Sequence, residues 1–266
     1  MAAVTPSNTE TEPGLLLEII GLSKHFGGLK AVDDVDFTLP RGEIRAIIGP
    51  NGAGKTTFVS LISGRLQPSA GRVLFDGRDM TGVPAFRRVR AGIAYTFQIT
   101  SIFSNLSVHD NVALAVQRHL IDHGDTNNGN SHRLTDEAIR HGVIDALTRT
   151  GIKERADMRA GNLAYGHQRL VEIAMGLALK PRLLILDEPT QGLSDGEIDN
   201  FIELVRSIAS QTTILLIEHN MPVVMALADR ISVLNFGRLL AEGTPEEIRT
   251  DIRVQDAYLG TSHDDV

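Results

Sequence analysis

The spacing of apolar positions predicts β-strands in the first third of the chain. Residues 15–22 form an apolar stretch, and apolar positions within residues 35–39 alternate with polar ones, as in a strand with one buried face. Residues 43–48 form a compact run rich in isoleucine. Residues 73–75 run into an Asp-Gly pair, which is typical of a tight turn. These elements predict an antiparallel β unit at the start of the chain.

The middle of the chain has helical spacing instead. Residues 108–120 and 135–150 carry apolar residues at helical intervals, and Thr135 stands where a helix N-cap is expected. Between them, residues 121–134 are rich in Asp, Asn, Gly and His, which favours a solvated loop. A metal-binding tract is the alternative interpretation of that segment.

Strands and helices alternate from residue 183 onward. The alternating segments are residues 183–186, 196–210, 213–217, 222–228 and 231–235. This order predicts parallel strands in one sheet with helices packed on its faces. The whole pattern therefore indicates an α/β protein with a β unit at its start and a helical insertion in its middle.

Composition narrows the class of protein. Of the 266 residues, 42% are hydrophobic, enough to fill a folded core. The net charge of -7 argues against a nucleic-acid-binding protein that works by broad phosphate neutralisation, and the absence of cysteine excludes disulfides and thiol catalysis. Residues 1–14 predict a solvated tail without a signal peptide, and no apolar run approaches the roughly 20 residues of a membrane helix. We therefore expect any membrane role to depend on a partner.

Residues 49–56 (GPNGAGKT) match the phosphate-binding pattern G-x-x-x-x-G-K-[ST] in full. They lie between the predicted strand at 43–48 and a helical stretch at 56–63, which is the context the pattern requires. The glycines let backbone N–H groups turn toward phosphate oxygens, Lys55 adds positive charge, and Thr56 offers a hydroxyl to Mg²⁺. The alternative, a glycine-rich turn with a surface lysine, is disfavoured by the flanking strand and helix. The motif alone predicts binding of a nucleoside triphosphate, as in kinases, GTPases and motors.

The apolar strand at 183–186 ends in Asp187 and Glu188. Charge at the end of a buried strand is unfavourable unless it is used. In a phosphate-loop protein the first acid would hold the magnesium shell, and the second would polarise the attacking water as general base. Two solvated acids at a strand end are the alternative. Because no motif for an acceptor hydroxyl is evident, hydrolysis is favoured over kinase chemistry.

Upstream of that strand, residues 162–169 read NLAYGHQR. This segment resembles the signature segment of ABC ATPases, and its order relative to the phosphate loop and the acid pair matches that family. The resemblance implies a P-loop NTPase of the ABC ATPase type, with an antiparallel β subdomain and an inserted helical subdomain. It divides the chain into a tail at 1–14, one ABC ATPase domain at 15–260 and a tail at 261–266, with the core and β subdomain at 15–98 and 162–260 and the helical subdomain at 99–161.

The resemblance also implies roles for single residues. Phe26 resembles the aromatic residue that stacks on adenine, with an ordinary loop or core phenylalanine as the alternative. Gln98 resembles the glutamine that reaches magnesium and water, and His219 resembles the switch histidine that contacts the γ-phosphate. The implied sets are catalytic Glu188, His219 and Gln98; ATP-binding Phe26, Val32, Asn51, Gly52, Ala53, Gly54, Lys55, Thr56 and Thr57; magnesium-binding Thr56, Gln98 and Asp187; and a D-loop with Ser194 and Asp195.

The implied signature residues, Ala164, Tyr165, Gly166, His167 and Gln168, act on a second subunit. In the family, the helix that begins there holds the γ-phosphate bound by the other protomer, so that two chains clamp two ATP molecules. The commonest signature is Leu-Ser-Gly-Gly-Gln, and alanine, tyrosine and histidine here replace its serine, first glycine and glutamine. A hydrogen bond to a charged group contributes roughly 1.5–3 kcal/mol, so the missing serine hydroxyl predicts weaker clamping. A degenerate half-site is the alternative.

Four stretches narrow the resemblance further. They are LAYG at 163–166, FGGLKAV at 26–32, LIEHNM at 216–221 and AYLG at 257–260, and together they resemble the ATP-binding subunit of high-affinity branched-chain amino acid importers. That likeness implies ATP and Mg²⁺ as cofactors. The implied partners are transmembrane permeases, a second ATPase subunit of the same or another kind and, indirectly, an extracytoplasmic solute-binding protein, with no nucleic acid. The implied location is peripheral, on the cytoplasmic face of the inner or plasma membrane.

Three alternatives stay open at the level of sequence. Related importers carry urea, amides or aromatic acids. A soluble ABC ATPase that acts on nucleic acid is disfavoured by the single cassette and the acidic balance. A regulatory cassette without hydrolysis would lack Lys55, Glu188 or His219, and all three are present.

Overall fold

The first sheet is antiparallel and lies at the start of the chain. The protein is described by a computed structural model, which covers residues 14–96, 101–123 and 135–259. The strands of this sheet are β1 (Leu15–Phe26), β2 (Leu29–Pro40), β4 (Ala70–Phe75) and β5 (Arg78–Asp79), in the order β2-β1-β4-β5. The predicted antiparallel unit is confirmed for the segments at 15–22, 35–39 and 73–75. The segment at 43–48 was wrongly included in it, because it pairs in parallel with residues 213–217 and 230–235 of the other sheet. β1 extends past the apolar run at 15–22 because its last residues pair with the start of β2.

The second sheet has six strands and carries the segments that end in candidate site residues. Its strands are β3 (Ile44–Ile48), β6 (Ile93–Thr96), β7 (Leu183–Asp187), β8 (Thr213–Ile217), β9 (Arg230–Asn235) and β10 (Arg238–Gly243). The order is β10-β9-β3-β8-β7-β6, with β10 antiparallel to β9 and every other pair parallel. The carboxyl ends of β3, β7 and β8 therefore meet at one edge, although the three strands are far apart in sequence.

Nine α-helices and two short 3-10 helices, Lys153–Arg155 and Ala160–Asn162, lie within the described ranges. The α-helices are named in chain order. They are α1 (Lys55–Ser63), α2 (Ala85–Arg90), α3 (Val108–His123), α4 (Asp136–Arg149), α5 (Tyr165–Ala178), α6 (Asp195–Ala209), α7 (Met221–Leu227), α8 (Pro245–Thr250) and α9 (Ile252–Leu259). Thr135 caps α4 as predicted, since its side chain accepts a hydrogen bond from the Ala138 N–H. Sequence periodicity missed the short helices α2, α8 and α9. A capping box between Thr244 and Glu247 is the local signal that starts α8.

The core is divided between the sheets and the helical layer. Helix α1 lies between the two sheets, where the Phe58 ring meets the Phe37 ring edge to face at a centroid distance of 5.6 Å. A separate apolar cluster joins α3, α4 and α5 through residues such as Val112, Val143 and Val171. Other residues of α5, including Ile173, pack against the parallel sheet. Helix α5 thus connects the helical layer to the sheet.

Several segments and one residue named in the predictions from sequence lie outside the described residues. They include residues 1–13 of the predicted N-terminal tail, the tail at 261–266, most of the loop at 121–134, and Gln98. Across the parts of the chain that the structure covers, no helix has both the length and the apolar character needed to cross a membrane.

Candidate active site

The phosphate-binding loop follows β3 and ends at the first turn of α1, as predicted. Gly49 and Gly54 both have positive φ angles, 151° and 96°. A Cβ at Gly49 would lie 2.1 Å from the Leu234 carbonyl oxygen, and a Cβ at Gly54 would lie 2.2 Å from that of Ala31. Only glycine fits at these two positions, because neighbouring backbone fills the space of a side chain. The loop is therefore held in its curled form by the strands around it.

Lys55 is the buried cation of this loop, with 8% of its surface exposed. Its Nζ donates hydrogen bonds to the carbonyl oxygens of Gly49, at 2.7 Å, and Pro50, at 3.0 Å. Burial lowers the pKa of Lys55, and the negative charges of Glu188 and Asp187 partly offset that effect. The loop thus presents a cation at the N-terminus of α1, where free backbone N–H groups also favour an anion.

The loop lies in a cleft of about 420 Å³. Its lining includes seven consecutive positions, Asn51, Gly52, Ala53, Gly54, Lys55, Thr56 and Thr57, together with Glu188 and the aromatic side chains of Phe26 and Phe236. Val32, predicted to bind ATP, does not line the cleft. It is 1% exposed and packs in the core between the sheets, because the alternation of β2 turns its side chain inward.

The acid pair stands at the end of β7, beside the loop. Asp187 is 2% exposed, and burial raises its pKa. The Tyr95 hydroxyl on β6 donates a hydrogen bond to Oδ2 of Asp187, which opposes that rise. Glu188 follows in a left-handed conformation with φ of 46°, and its N–H donates to the Ile217 carbonyl oxygen at 2.9 Å. The turn therefore directs one acid into the protein and leaves the other at the cleft.

His219 lies at the end of β8, next to this pair. Its Nδ1 is 3.9 Å from Oε1 of Glu188. Glu188 follows β7 and His219 follows β8, and the adjacency of these two strands in the sheet brings the residues together.

Glu218 is a polar residue that sequence analysis assigned no role. It is fully buried, and one carboxylate oxygen accepts hydrogen bonds from the Thr190 N–H, at 3.1 Å, and the Thr190 hydroxyl. The other oxygen accepts from the N–H groups of His219, at 2.9 Å, and Asn220, at 3.0 Å. Glu218 thus ties the turn after the acid pair to the segment that carries His219. The signal in the sequence was an acid directly after the apolar run at 214–217.

Arg169 is a second residue without a predicted role. It is 1% exposed on α5 and forms an ion pair with Glu172, with Nη1 to Oε2 at 2.8 Å. Its Nη2 also donates to the Glu188 carbonyl oxygen at 2.9 Å. The helix that carries the candidate signature is therefore bonded to the turn that carries the acid pair.

Phe236 is a third residue that the sequence analysis missed. Its side chain is 85% exposed, and its φ of 46° costs about 1–2 kcal/mol in a residue other than glycine. The turn is fixed in place by two hydrogen bonds, from the Gly237 N–H to the Ala53 carbonyl at 3.0 Å and from the Asp33 N–H to the Gly237 carbonyl at 2.9 Å. Phe26 at the cleft is 48% exposed, with Lys24 Nζ lying 5.2 Å from its ring centroid. The cleft thus has two exposed aromatic side chains.

The candidate signature begins α5, at the predicted place. Ala164 is the exposed N-cap residue, and its side chain makes no capping hydrogen bond. A Cβ at Gly166 would lie 2.3 Å from Oε1 of Glu197, so any larger residue there would displace the Glu197 side chain. The Gln168 side chain donates to the Leu163 carbonyl at 2.9 Å. Among the described residues, none from 164 to 168, His167 included, lines the cleft of the same chain.

The candidate D-loop residues start α6. Ser194 is the N-cap of this helix and forms a capping box with Glu197, and Asp195 is the first helical residue. Glu197 therefore lies between the D-loop and Gly166. The two predicted loops are neighbours within one chain, and both lie outside the cleft of that chain.

Known proteins resemble this chain over nearly its whole length. The sequence model of the family described as ABC transporter matches residues 32–191, and that of the branched-chain amino acid ATP-binding cassette transporter family matches residues 238–264. The high-affinity branched-chain amino acid transport ATP-binding protein BraF of Pseudomonas aeruginosa is 39% identical over 250 residues, which cover 92% of this chain and 98% of BraF. LivG of Escherichia coli K12, which bears the same description, is 40% identical over the same shares.

Solved structures agree with the sequence comparison. A nucleotide-free ATP-binding cassette from an ABC transporter superposes with a TM-score of 0.80 at 27% identity, covering 92% of this chain and 98% of the other. The ADP conformation of MJ1267, an ATP-binding cassette of an ABC transporter, gives a TM-score of 0.79 at 28% identity, with 92% and 99% covered.

Proposed function

The chain belongs to the family of ABC transporter ATP-binding subunits, and from that membership we propose that it hydrolyses ATP to drive branched-chain amino acid import. The observation that supports hydrolysis is the cleft itself, where Lys55 and Glu188 both line the wall beside the phosphate loop. The observation that supports the substrate class is the match of residues 238–264, together with relatives whose names specify branched-chain amino acids.

ATP binds, in this proposal, with its phosphates in the loop at 49–56 and its base near Phe26. Backbone N–H groups and Lys55 hold the phosphates, and Thr57 and Asn51 lie along the same wall. The Phe26 ring offers an apolar face for stacking, and Phe236 adds a second aromatic surface at the opening. Val32 contributes to the position of β2 rather than to a contact.

The residues present fit a magnesium ion. Mg²⁺ prefers oxygen ligands, and the exposed Thr56 hydroxyl and the Asp187 carboxylate supply two kinds of hard oxygen near the phosphate loop. When bound, the ion neutralises charge on the β- and γ-phosphates. We propose Thr56 and Asp187 as its protein partners, with Gln98 as a third group beyond the described residues.

We propose Glu188 as the general base. We propose that His219, which lies beside it, contacts the γ-phosphate. The backbone of Glu188 is hydrogen-bonded from two sides, by Ile217 and by Arg169, which fixes the backbone from which its side chain reaches the cleft. Its carboxylate can accept a proton from water, and His219 can donate a hydrogen bond to the phosphate as charge develops.

A second ATPase subunit completes the proposed site. The residues from Ala164 to Gln168, with Ser194 and Asp195, form a surface outside the chain's own cleft, and the start of α5 presents backbone N–H groups to an anion. We propose that this surface covers the γ-phosphate bound by the partner subunit. ATP then joins the two subunits, and hydrolysis releases them.

A transmembrane permease is the proposed second partner. A largely apolar groove of about 390 Å³ runs between the parallel sheet and the helical layer, lined by residues including Tyr95, Leu114 and Met175. Because α3 and α4 share an apolar core with one face of α5, we propose that α3 and α4 move as a helical subdomain when this groove is occupied. The chain would then lie at the cytoplasmic face of the membrane and reach the solute-binding protein only through the permease.

Glu188→Gln tests the hydrolytic part. The amide cannot accept the proton of water, so we expect ATP binding to persist, turnover to stop, and a nucleotide-bound dimer to accumulate. Gel filtration with ATP, beside a turnover assay, measures both. Normal turnover in this variant would remove Glu188 from the mechanism.

The substrate class is tested in the assembled transporter. We expect leucine, isoleucine or valine, with the cognate solute-binding protein, to stimulate ATP hydrolysis and to accumulate inside vesicles. Urea, a short amide and an aromatic acid serve as competitors for the related importers. Uptake of one of these compounds instead of leucine would assign the chain to the importers of that compound. Its role as an ATPase would be unaffected.

A further inference from the structure

Tyr95 connects the groove to the acid pair. Its side chain lines the groove proposed to receive the permease, while its hydroxyl donates to Oδ2 of Asp187. The two residues lie 92 positions apart and meet because β6 and β7 are neighbours in the sheet. One side chain therefore contacts both the candidate partner surface and the candidate metal carboxylate.

The Tyr95 ring is held from the groove side by Arg65. The guanidinium carbon of Arg65 lies 3.8 Å from the ring centroid, which is a close cation–π contact. Arg65 is in turn bonded to the end of α1, through its Nη2 to the Ser60 hydroxyl at 2.9 Å and its Nε to the Ser63 hydroxyl at 3.2 Å. Arg65 and Ser63 line the same groove. A partner in the groove thus presses on the group that fixes the tyrosine.

Asp187 depends on this hydroxyl because of where it lies. The carboxylate is almost fully buried, so its oxygens depend on protein donors, and the Tyr95 hydroxyl is one of them. The bond from this hydroxyl fixes the position of Oδ2.

We propose that Tyr95 is a positioning residue for Asp187 and that it transmits occupancy of the groove to the metal site. The positioning role is the first half of this inference, and it does not depend on the proposed permease partner. The transmission of groove occupancy is the second half, and it rests on that partner. Movement of Arg65 when a partner docks would shift the ring, and the hydroxyl would carry that shift to the carboxylate.

The isolated chain tests the first half. A fluorescent ATP analogue is titrated against wild type and Tyr95→Phe, once with Mg²⁺ and once with a chelator. Phenylalanine keeps the ring and the arginine contact and removes only the donor. We expect the gain in nucleotide affinity that Mg²⁺ confers to fall roughly tenfold, since the lost bond involves a charged group. Binding without Mg²⁺ should equal wild type, because the phosphate loop is unchanged.

Thr96→Val is the matched control. Thr96 is the next residue on β6, is 1% exposed, and donates its hydroxyl to the Ile185 carbonyl at 3.4 Å on the other face of the strand. This variant loses a buried hydroxyl, as Tyr95→Phe does, but the lost hydroxyl bonds to Ile185. We therefore expect its dependence on Mg²⁺ to equal that of wild type. Equal Mg²⁺ dependence in wild type and Tyr95→Phe, or an equal loss in both variants, overturns the positioning role.

The assembled transporter tests the second half. We measure the ratio of ATP turnover with permease to turnover without it, at saturating Mg²⁺. We expect this ratio to fall several-fold in Tyr95→Phe and to stay at the wild-type value in Thr96→Val. A wild-type ratio in Tyr95→Phe overturns the link to the groove. If wild type itself is not stimulated, the proposed permease partner fails, and the Mg²⁺ titration still decides the role of the hydroxyl.

Discussion

Glu218 offers the sharpest test of how the catalytic loops are held. Its carboxylate accepts four hydrogen bonds, two from Thr190 and one each from the N–H groups of His219 and Asn220, and none of its surface is exposed. Replacement by glutamine keeps the shape and converts one accepting oxygen into a donor.

The expected loss follows from this geometry. The amide is best placed with its nitrogen toward Thr190, whose hydroxyl can rotate to accept, and the Thr190 N–H then has no acceptor. One buried donor without a partner costs about 1–3 kcal/mol, and the bonds that remain lose their charge assistance. We therefore expect Glu218→Gln to lower the free energy of unfolding by about 2–4 kcal/mol, since both effects add. The melting temperature would fall by roughly 5–15 °C.

Activity should fall further than stability accounts for. The carboxylate fixes the backbone of His219 beside Glu188, and a small displacement of a catalytic group slows turnover by roughly tenfold or more. Urea or thermal unfolding gives the first quantity, and ATP turnover well below the melting temperature gives the second. Glu218→Ala leaves three backbone N–H donors without acceptors and should be the less stable of the two variants.

Glu203→Gln is the matched control for this experiment. Glu203 lies on α6 with its side chain exposed, so the same chemical change there should leave melting and turnover at wild-type values. If Glu218→Gln behaves like this control in both assays, the carboxylate does not hold the two loops and the reasoning is refuted.

Three further outcomes are expected. Lys55→Ala should weaken nucleotide binding in calorimetry without loss of fold, and unchanged affinity would contradict its role as the cation of the phosphate loop. Phe236→Ala should lower affinity for ATP roughly fivefold or more, as loss of a stacking face does, but leave tripolyphosphate binding unchanged. Phe86→Ala, which removes another exposed ring, is its control, and equal effects would exclude a base contact. Ala164→Ser should equal or exceed wild-type turnover and add about 1 kcal/mol of stability as an N-cap. A large loss of turnover would reveal a packing role for this exposed alanine.

The sequence predicted those features that depend on residues close together in the chain. The phosphate loop was recognisable because its glycines, lysine and threonine occupy fixed places within eight consecutive residues, and their chemistry follows from residue type. The strands and longer helices were recognisable because period-two and helical spacing are local properties. Thr135 was correctly predicted as an N-cap for the same reason.

The short terminal elements were less predictable. Strand β10 and helices α8 and α9 carry too few apolar residues to show a period, and they are stabilised by packing against β9 and one another through residues such as Ile248 and Val254. Val32 was predicted to touch ATP because the family resemblance placed it there, but the alternation of β2 turns it into the core.

Tertiary structure alone decided which strand ends meet and what supports them. Strands β3, β7 and β8 bring Lys55, Glu188 and His219 to one edge, and the order of strands in a sheet depends on contacts between distant segments. The same is true of the hydrogen bonds that Tyr95 donates to Asp187 and that Thr190 donates to Glu218, which join residues 92 and 28 positions apart. A tyrosine in a strand or a glutamate after one has no distinctive local pattern. Its role arises only when folding places a buried carboxylate or a row of N–H donors beside it.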